Sequence, residues 1–263
     1  MSKETLIIGA GAGLGKYLSD ALNADTFVRG DPLPTIKSYD LIVYCAAKAH
    51  FRTAPKNLFQ SISDNFLLLE TIAKETKGKF VYISSVDVYT PAIKPAIEDQ
   101  KSLKLNRESD DIFIEDLPGG YPSFKLMSEA LVQEYTANPL ILRPTSLFGA
   151  NMRPNNIFRL LNGDGTITLS AKSRFNCIRY QMISNLIEAA IDTNTSGIIN
   201  CAATADVTLG ELGKAIGYTG SFGTIDYTVP NVSNDRATSL VPEFGHSSLD
   251  ILHRFWAEQT TTA

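Results

Sequence analysis

Six short runs of apolar, β-rich residues, almost free of polar alternation, restrict the architecture of this chain more than any other feature. They are Thr5–Ile8, Asp25–Val28, Asp40–Cys45, Lys79–Ser84, Leu140–Leu142 and Ile198–Cys201. A strand that alternates exposes one face, whereas an unbroken apolar run belongs to a strand covered on both. Between and after these runs lie stretches of helical period: Leu14–Asn23, Leu58–Lys74, Ser123–Tyr135, Ile183–Asp192, Leu209–Ile216 and Ser248–Trp256. Strands alternating with helices predict an α/β fold, a doubly wound parallel sheet with helices on both faces. The 263 residues suffice for one such unit and a smaller appendage. Beyond about residue 150 the pattern loosens into Gly- and Asn-rich turns. This predicts a sheet domain over 1–150 plus about 176–205, and a small C-terminal lobe over 151–175 and 206–263.

Composition narrows the partners. Hydrophobic residues make up 44% and charged residues 20%, as in globular proteins, which excludes disordered and fibrous classes. The net charge of −4, with no long Lys/Arg run, argues against nucleic acid or an anionic membrane as partner. No apolar stretch approaches the roughly 20 residues of a membrane span. The first strand begins at Thr5, which leaves no room for a secretory signal. Cys45, Cys177 and Cys201 lack CxxC spacing, and His246 and His253 lie outside any metal spacing. A reducing, cytoplasmic setting without a metal centre is expected.

The first strand runs directly into Gly9-Ala10-Gly11-Ala12-Gly13-Leu14-Gly15 and then a helical pattern. A strand, a tight glycine turn and a helix start present free N–H groups and a positive dipole end to a pyrophosphate. The spacing is GxxGxxG with Ala12 in the central place. Arg29 follows the second strand, where a dinucleotide-binding unit discriminates its cofactor. A basic residue there favours a 2′-phosphate and hence NADP over NAD, with Lys16 a possible contributor and Asp31 an opposing one. Tyr121 and Lys125 stand four apart at a helix start, which stacks phenol and amine on one face. Upstream, the run Phe80–Ile83 ends in Ser84-Ser85, and a hydroxyl at a strand's carboxyl end faces the ligand crevice of an α/β sheet. Ser85, Tyr121 and Lys125 form a candidate set in which the amine lowers the phenol's pKa. Residues 98–116 carry seven acidic and three basic side chains, and read as a solvated surface loop or a lid over a cleft.

These motifs, in this order, resemble the extended short-chain dehydrogenase/reductase family, the NAD(P)-dependent epimerase/dehydratase group. The resemblance also takes in Asp40-Leu41-Ile42-Val43-Tyr44-Cys45-Ala46-Ala47, Ser84-Ser85-Val86-Asp87-Val88-Tyr89, Glu129, Leu142–Gly149, Ile199–Ala202 and Asp235–Gly245. It implies a Rossmann sheet with the C-terminal lobe binding substrate, and a homodimer packed through long helices such as Ser123–Tyr135. It further implies Tyr121 as proton donor and acceptor, Ser85 polarising a carbonyl, and Lys125 on the nicotinamide ribose. Ala46, Ala47, Asn65, Pro144 and Thr145 would border the cofactor. Lys48, His50, Asp87, Arg174 and Arg236 are candidates for the substrate side.

The chain departs from the family pattern in ways that bear on function. Ala12 replaces a glycine, and only ten residues separate Arg29 from Asp40, where a further helix and strand are usual. Val86 stands where sugar dehydratases carry an acid, and the late Arg-x-Gly-Asp segment is missing near Val229-Pro230-Asn231. The expectation is an NADP-dependent reductase of a keto-sugar, nucleotide-linked. A nucleotide-sugar epimerase with tightly held NAD(P) and a non-catalytic NAD(P)-binding regulator are the alternatives.

Overall fold

The computed structural model describes residues 4–47, 62–90, 103–152, 154–163 and 167–261. In chain order its first elements are β1 (Thr5–Ile8), α1 (Gly13–Ala21), β2 (Asp25–Phe27) and β3 (Leu41–Tyr44). There follow a π-helical turn over Ser63–Leu67, α2 (Leu68–Glu75), β4 (Lys79–Ile83), α3 (Gly120–Tyr135) and β5 (Leu140–Pro144). Next come β6 (Ser146–Phe148), α4 (Asn156–Asn162), β7 (Ile167–Leu169), β8 (Arg174–Phe175), β9 (Cys177–Arg179) and α5 (Tyr180–Asp192). The last are β10 (Gly197–Cys201), β11 (Val207–Thr208), α6 (Leu209–Ala215), β12 (Phe222–Ile225), α7 (Asp235–Leu240) and α8 (Ser248–Thr261).

The six expected strands form one sheet in the order β10-β5-β4-β3-β1-β2, with every pair parallel. Alternate residues along each strand feed separate cores, which is why the runs do not alternate in polarity. Ile7, Val43, Val81 and Leu142 face α1 and α5 through Leu14, Leu18, Ile183 and Leu186. Leu6, Ile8, Ile42, Phe80 and Ile141 face α2 and α3 through Leu69, Ile72 and Val132. The sheet ends at β2, and residues 29–40 cross back through a single 3₁₀ turn, Ile36–Ser38, so the short Arg29–Asp40 spacing leaves no room for another strand. The smaller elements after β5 make three two-stranded ladders, β6-β9, β7-β12 and β8-β11. Their apolar residues Ile157, Ile167, Phe175 and Leu212 join the same core as α1 and α5.

The acidic segment is neither wholly solvated nor detached from the body in its described part, 103–116. Asn106 donates its N–H to the Asn231 carbonyl at 2.9 Å and accepts from the Ser233 N–H at 2.9 Å. The Glu108 carboxylate accepts from the Asn200 N–H on β10 at 3.0 Å. Backbone pairing and a buried strand amide explain why so charged a stretch lies down on the protein. No helix among the described residues is long and apolar enough to cross a membrane.

Candidate active site

A cleft of about 330 Å³ opens above the carboxyl edge of β1, β3, β4 and β5. One wall is the glycine turn. Gly9 has φ +91°, and a Cβ there would lie 2.7 Å from the Ala46 nitrogen. At Gly15 a Cβ would lie 2.3 Å from the Gly9 carbonyl oxygen. Both glycines are therefore demanded by close backbone approach, of the turn to the end of β3 and of α1 to the turn. Ala12 is extended (φ −168°), a conformation open to any residue, so the central glycine of the pattern is dispensable here. Ala12, Gly13, Leu14 and Gly15 line the cleft at the start of α1, where the first N–H groups have no partner within the helix. The Gly13 N–H is taken by the Asn151 carbonyl at 3.1 Å. Gly11 approaches Val28, at 3.7 Å from an added Cβ.

Arg29 follows immediately, exposed at the end of β2, whose Phe27 carbonyl accepts the Gly9 N–H at 2.8 Å. Asp31 turns back to accept the Val28 N–H at 3.0 Å. Lys16 pairs with Asp20 one turn along α1 at 2.6 Å, an exposed pair of small energetic weight. The structure thus occupies Lys16 with a carboxylate on its own helix.

The opposite wall carries the expected hydroxyl, phenol and amine. Ser85, Tyr121 and Lys125 all line the cleft, with Pro144 and Thr145 beside them. Ser85, two residues beyond β4, is extended and caps the following 3₁₀ turn by accepting the Asp87 N–H at 3.1 Å. Its hydroxyl also acts on the Tyr121 phenol, in the direction that lowers the phenol's pKa. Lys125 is buried, and its ammonium donates to the Ile83 carbonyl at 2.7 Å. Its nitrogen lies 4.9 Å from the Tyr82 ring centre and 5.9 Å from that of Tyr121.

The electrostatics differ from the sequence expectation in one respect. The i, i+4 spacing predicts that Lys125 lowers the Tyr121 pKa. The phenol is instead raised, first by burial and then by the Asp87 carboxylate, with the Ser85 hydrogen bond opposing both. One of the amine's three N–H donors goes to the Ile83 carbonyl, and the nitrogen lies nearer the Tyr82 ring than that of Tyr121. Burial pulls Lys125 from 10.5 down to about 8, against the opposing pull of Cys45, Glu129 and Asp87. A lysine depressed in the folded state carries a cost that is complete below pH 8 and is relieved as pH rises to 10.5. Between pH 7.5 and 9.5 the parent gains stability over Lys125→Met on the order of 2 kcal/mol, read from urea midpoints at the two pH values.

Behind the cleft runs a buried polar chain. Glu129, one turn beyond Lys125, takes the Arg143 guanidinium in a bidentate pair at 2.6 and 3.0 Å, and accepts the Ser84 hydroxyl. Both ionic side chains are 3% exposed. Arg143 also donates to the Tyr89 hydroxyl at 2.5 Å, and that hydroxyl donates to Asn200 at 3.0 Å. The ends of β4, β5 and β10 and the face of α3 are thereby tied beneath Ser85 and Lys125.

Other sequence candidates separate. Ala46, two residues beyond β3, lies against the glycine turn, and Ala47 lines the cleft. Asn65 is buried in the π-helical turn and faces a small recess with Ala47, Tyr121, Phe124 and Lys125. Thr145 lines the cleft while its hydroxyl donates to Asn176 at 2.9 Å. Arg174 is held in a bidentate pair with Asp206 at 2.6 and 2.7 Å. Arg236 donates to the carbonyls of Ser196 and Ile198 at the amino end of β10, the edge opposite the cleft, so the structure does not bring it to the site. Lys48 and His50 lie outside the described residues. Asn155 and Tyr180 line the cleft without a motif to announce them, and Cys45, from the strand segment that ends in Ala46-Ala47, lines it too. The Cys45 thiol is pushed up to about 12 by burial and stays neutral. Among the described residues no group of His, Cys, Asp or Glu is placed to hold a metal ion.

A doubly wound parallel sheet, with a glycine turn and a hydroxyl–phenol–amine cluster on one cleft, defines a Rossmann-type α/β protein. The chain belongs to the NAD dependent epimerase/dehydratase family, whose model matches residues 22–163. A curated relative, dTDP-D-glucose 4,6-dehydratase of Dictyostelium discoideum, is 25% identical over 162 residues. That match takes in 57% of this chain and spans just over a third (37%) of the relative's length. Among solved structures, dTDP-4-dehydrorhamnose reductase from Bacillus anthracis in complex with NADP superposes with TM-score 0.74 at 18% identity. The superposition covers 98% of this chain and 100% of that one. UDP-glucuronic acid 4-epimerase from Bacillus cereus, in complex with UDP-glucuronic acid and NAD, gives TM-score 0.66 at 17% identity, covering 96% and 99%. At these identities the structural likeness is one of fold.

Proposed function

We propose that the protein is an NADP-dependent oxidoreductase that reduces a keto group of a sugar, nucleotide-linked, with Ser85, Tyr121 and Lys125 as its catalytic set. The observation that carries this reading is the convergence of those three side chains on the cleft shared with the glycine turn. The residues present suit a dinucleotide: the glycine turn from Gly9 to Gly15 lines the cleft, and the start of α1 there offers backbone donors to a pyrophosphate. Lys125 and Asn65 would hold the ribose side, with Ala46, Ala47, Pro144 and Thr145 around the ring. The chemistry a bound nicotinamide supplies is hydride.

The chain's own residues would do the rest. Ser85 orients the substrate carbonyl and Tyr121 protonates its oxygen. A phenol raised by burial and by Asp87 holds its proton at neutral pH, which suits a donor and hence the reductive direction. Asp87 stands on the substrate side, and residues 151–175 and 206–263 would form the lobe that covers it. The fold likeness to a dehydrorhamnose reductase lends support to this class of substrate.

The deciding experiment follows NADPH by its absorbance with dTDP-4-dehydrorhamnose and other keto-sugar nucleotides. One NADPH consumed per product supports reduction. Turnover without net oxidation marks epimerisation, and binding without turnover marks a regulator. The NADP preference rests on Arg29 beside the glycine turn. Arg29→Asp weakens NADPH by about ten- to a hundredfold and NADH far less, as read by fluorescence titration. Equal affinity of the parent protein for the two nucleotides would remove Arg29 from this role.

A further inference from the structure

Both flanks of Ser85 lead to one guanidinium. Upstream, the Ser84 hydroxyl donates to Glu129, which takes Nε and Nη2 of Arg143. Downstream, Ser85 opens the 3₁₀ turn Val86–Tyr89, and the Tyr89 hydroxyl at its far end accepts from Nη1 of the same arginine at 2.5 Å. The guanidinium carbon also lies 4.8 Å from the centre of the Tyr89 ring. The six residues from Ser84 to Tyr89 therefore make a loop with both ends fastened to Arg143 and Ser85 inside it.

This stretch has little else to hold it. The Ser84 N–H still donates to the Leu142 carbonyl on β5 at 2.7 Å, and beyond it the chain leaves the sheet. A single 3₁₀ turn has poor hydrogen-bond geometry, and here the Val88 N–H stands 3.4 Å from the Ser85 carbonyl. Arginine suits the task, because its planar fork carries donors at fixed angles: seating two nitrogens on Glu129 fixes where the third points. The Tyr89 hydroxyl has the Asn200 side-chain oxygen at 3.0 Å and the Arg107 carbonyl at 3.2 Å as acceptors. Strand β10 and the acidic segment thus brace the same atom. Tyr89, Glu129 and Arg143 are all buried, and none of the three lines the cleft.

We propose that Tyr89 is a positioning residue for Ser85: clamped by Arg143, its hydroxyl fixes the turn that keeps the Ser85 side chain on the cleft. This rests on the reading of Ser85 as a member of the catalytic set, and adds the group that places it.

Tyr89→Phe keeps the ring beside the guanidinium and removes the hydroxyl alone. With dTDP-4-dehydrorhamnose as probe, kcat for NADPH oxidation falls about five- to tenfold, while KM and the NADPH Kd each stay within about twofold. Ser85→Ala completes a double-mutant cycle, its residual rate read by single turnover with enzyme in excess. A residue that acts through Ser85 has nothing left to place once that hydroxyl is gone. Tyr89→Phe then changes the rate of Ser85→Ala by about twofold or less. An equal fall in both backgrounds marks a general structural role and overturns the proposal. So does an unchanged kcat in Tyr89→Phe beside a crippled Ser85→Ala, which leaves the role of Ser85 standing. Melting temperature and NADPH Kd verify the fold of each variant. If Tyr89→Phe does not fold, Arg143→Lys enters the same cycle, since it keeps a charge for Glu129 but cannot span two partners. Ser85→Ala with the parent's turnover, or a parent that consumes no NADPH with any keto-sugar nucleotide, overturns the catalytic reading itself, and the role of Tyr89 falls with it.

Discussion

Tyr121→Phe lowers kcat by about 10²–10⁴-fold while the NADPH Kd stays within about twofold. The size follows from what the substitution removes. Phenylalanine keeps the ring, so the packing of α3 against the cleft and the contact with the Lys125 ammonium at 5.9 Å from the ring centre survive. What is lost is the phenol proton that the cleft presents beside Ser85. Water is a poor replacement, because burial of the phenol is the leading cause of its raised pKa. Stopped-flow or steady-state NADPH oxidation gives kcat, and nucleotide fluorescence gives Kd. Turnover within threefold of the parent would remove Tyr121 from the chemistry, and with it the reductive reading of the cleft.

Glu129→Gln costs about 3–5 kcal/mol of stability, because it leaves the Arg143 charge buried beside a neutral amide. For a chain of this length that corresponds to a fall in Tm of ~6–20 °C. Burial works against the charged guanidinium, and the Glu129 carboxylate outweighs it, so the pair is held together by mutual need. The 3% exposure of both side chains distinguishes it from the pairs Lys16–Asp20 and Lys74–Glu70, which stand in water and count for little. Circular dichroism melts of the parent and of Glu129→Gln measure the difference. Glu129→Leu combined with Arg143→Met recovers part of the loss, since removing both charges spares the desolvation of either. A single-variant cost below ~1 kcal/mol would mean that water reaches the pair and that Ser84 and Tyr89 are not fixed through it.

The site was legible where its parts announce themselves locally. A glycine forced to φ +91°, a hydroxyl at the end of a buried strand and a phenol and amine one helical turn apart each leave a mark within a few residues. Arg236 shows the limit of such reading: a lone arginine carries no sign of which sheet edge it will reach, and here two strand carbonyls claim it. Asn65 was placed by resemblance, but the π-helical turn that sets it at the recess it shares with Lys125 has no signature in Ser63–Leu67. The hold of Arg143 on Tyr89 had no signal at all, since the two stand 54 residues apart in sequence.

From the amino-acid order alone came the sheet, its covering helices, the glycine turn and the trio Ser85, Tyr121 and Lys125, because burial on two faces and i, i+4 spacing are properties of adjacent residues. The tertiary structure alone decided what surrounds that trio: the carboxylate of Asp87 raising the phenol, the Ile83 carbonyl claiming the amine, and the Glu129–Arg143 pair beneath. Those are matters of dielectric and distance, set only when segments far apart in the chain exclude water from the same few ångströms.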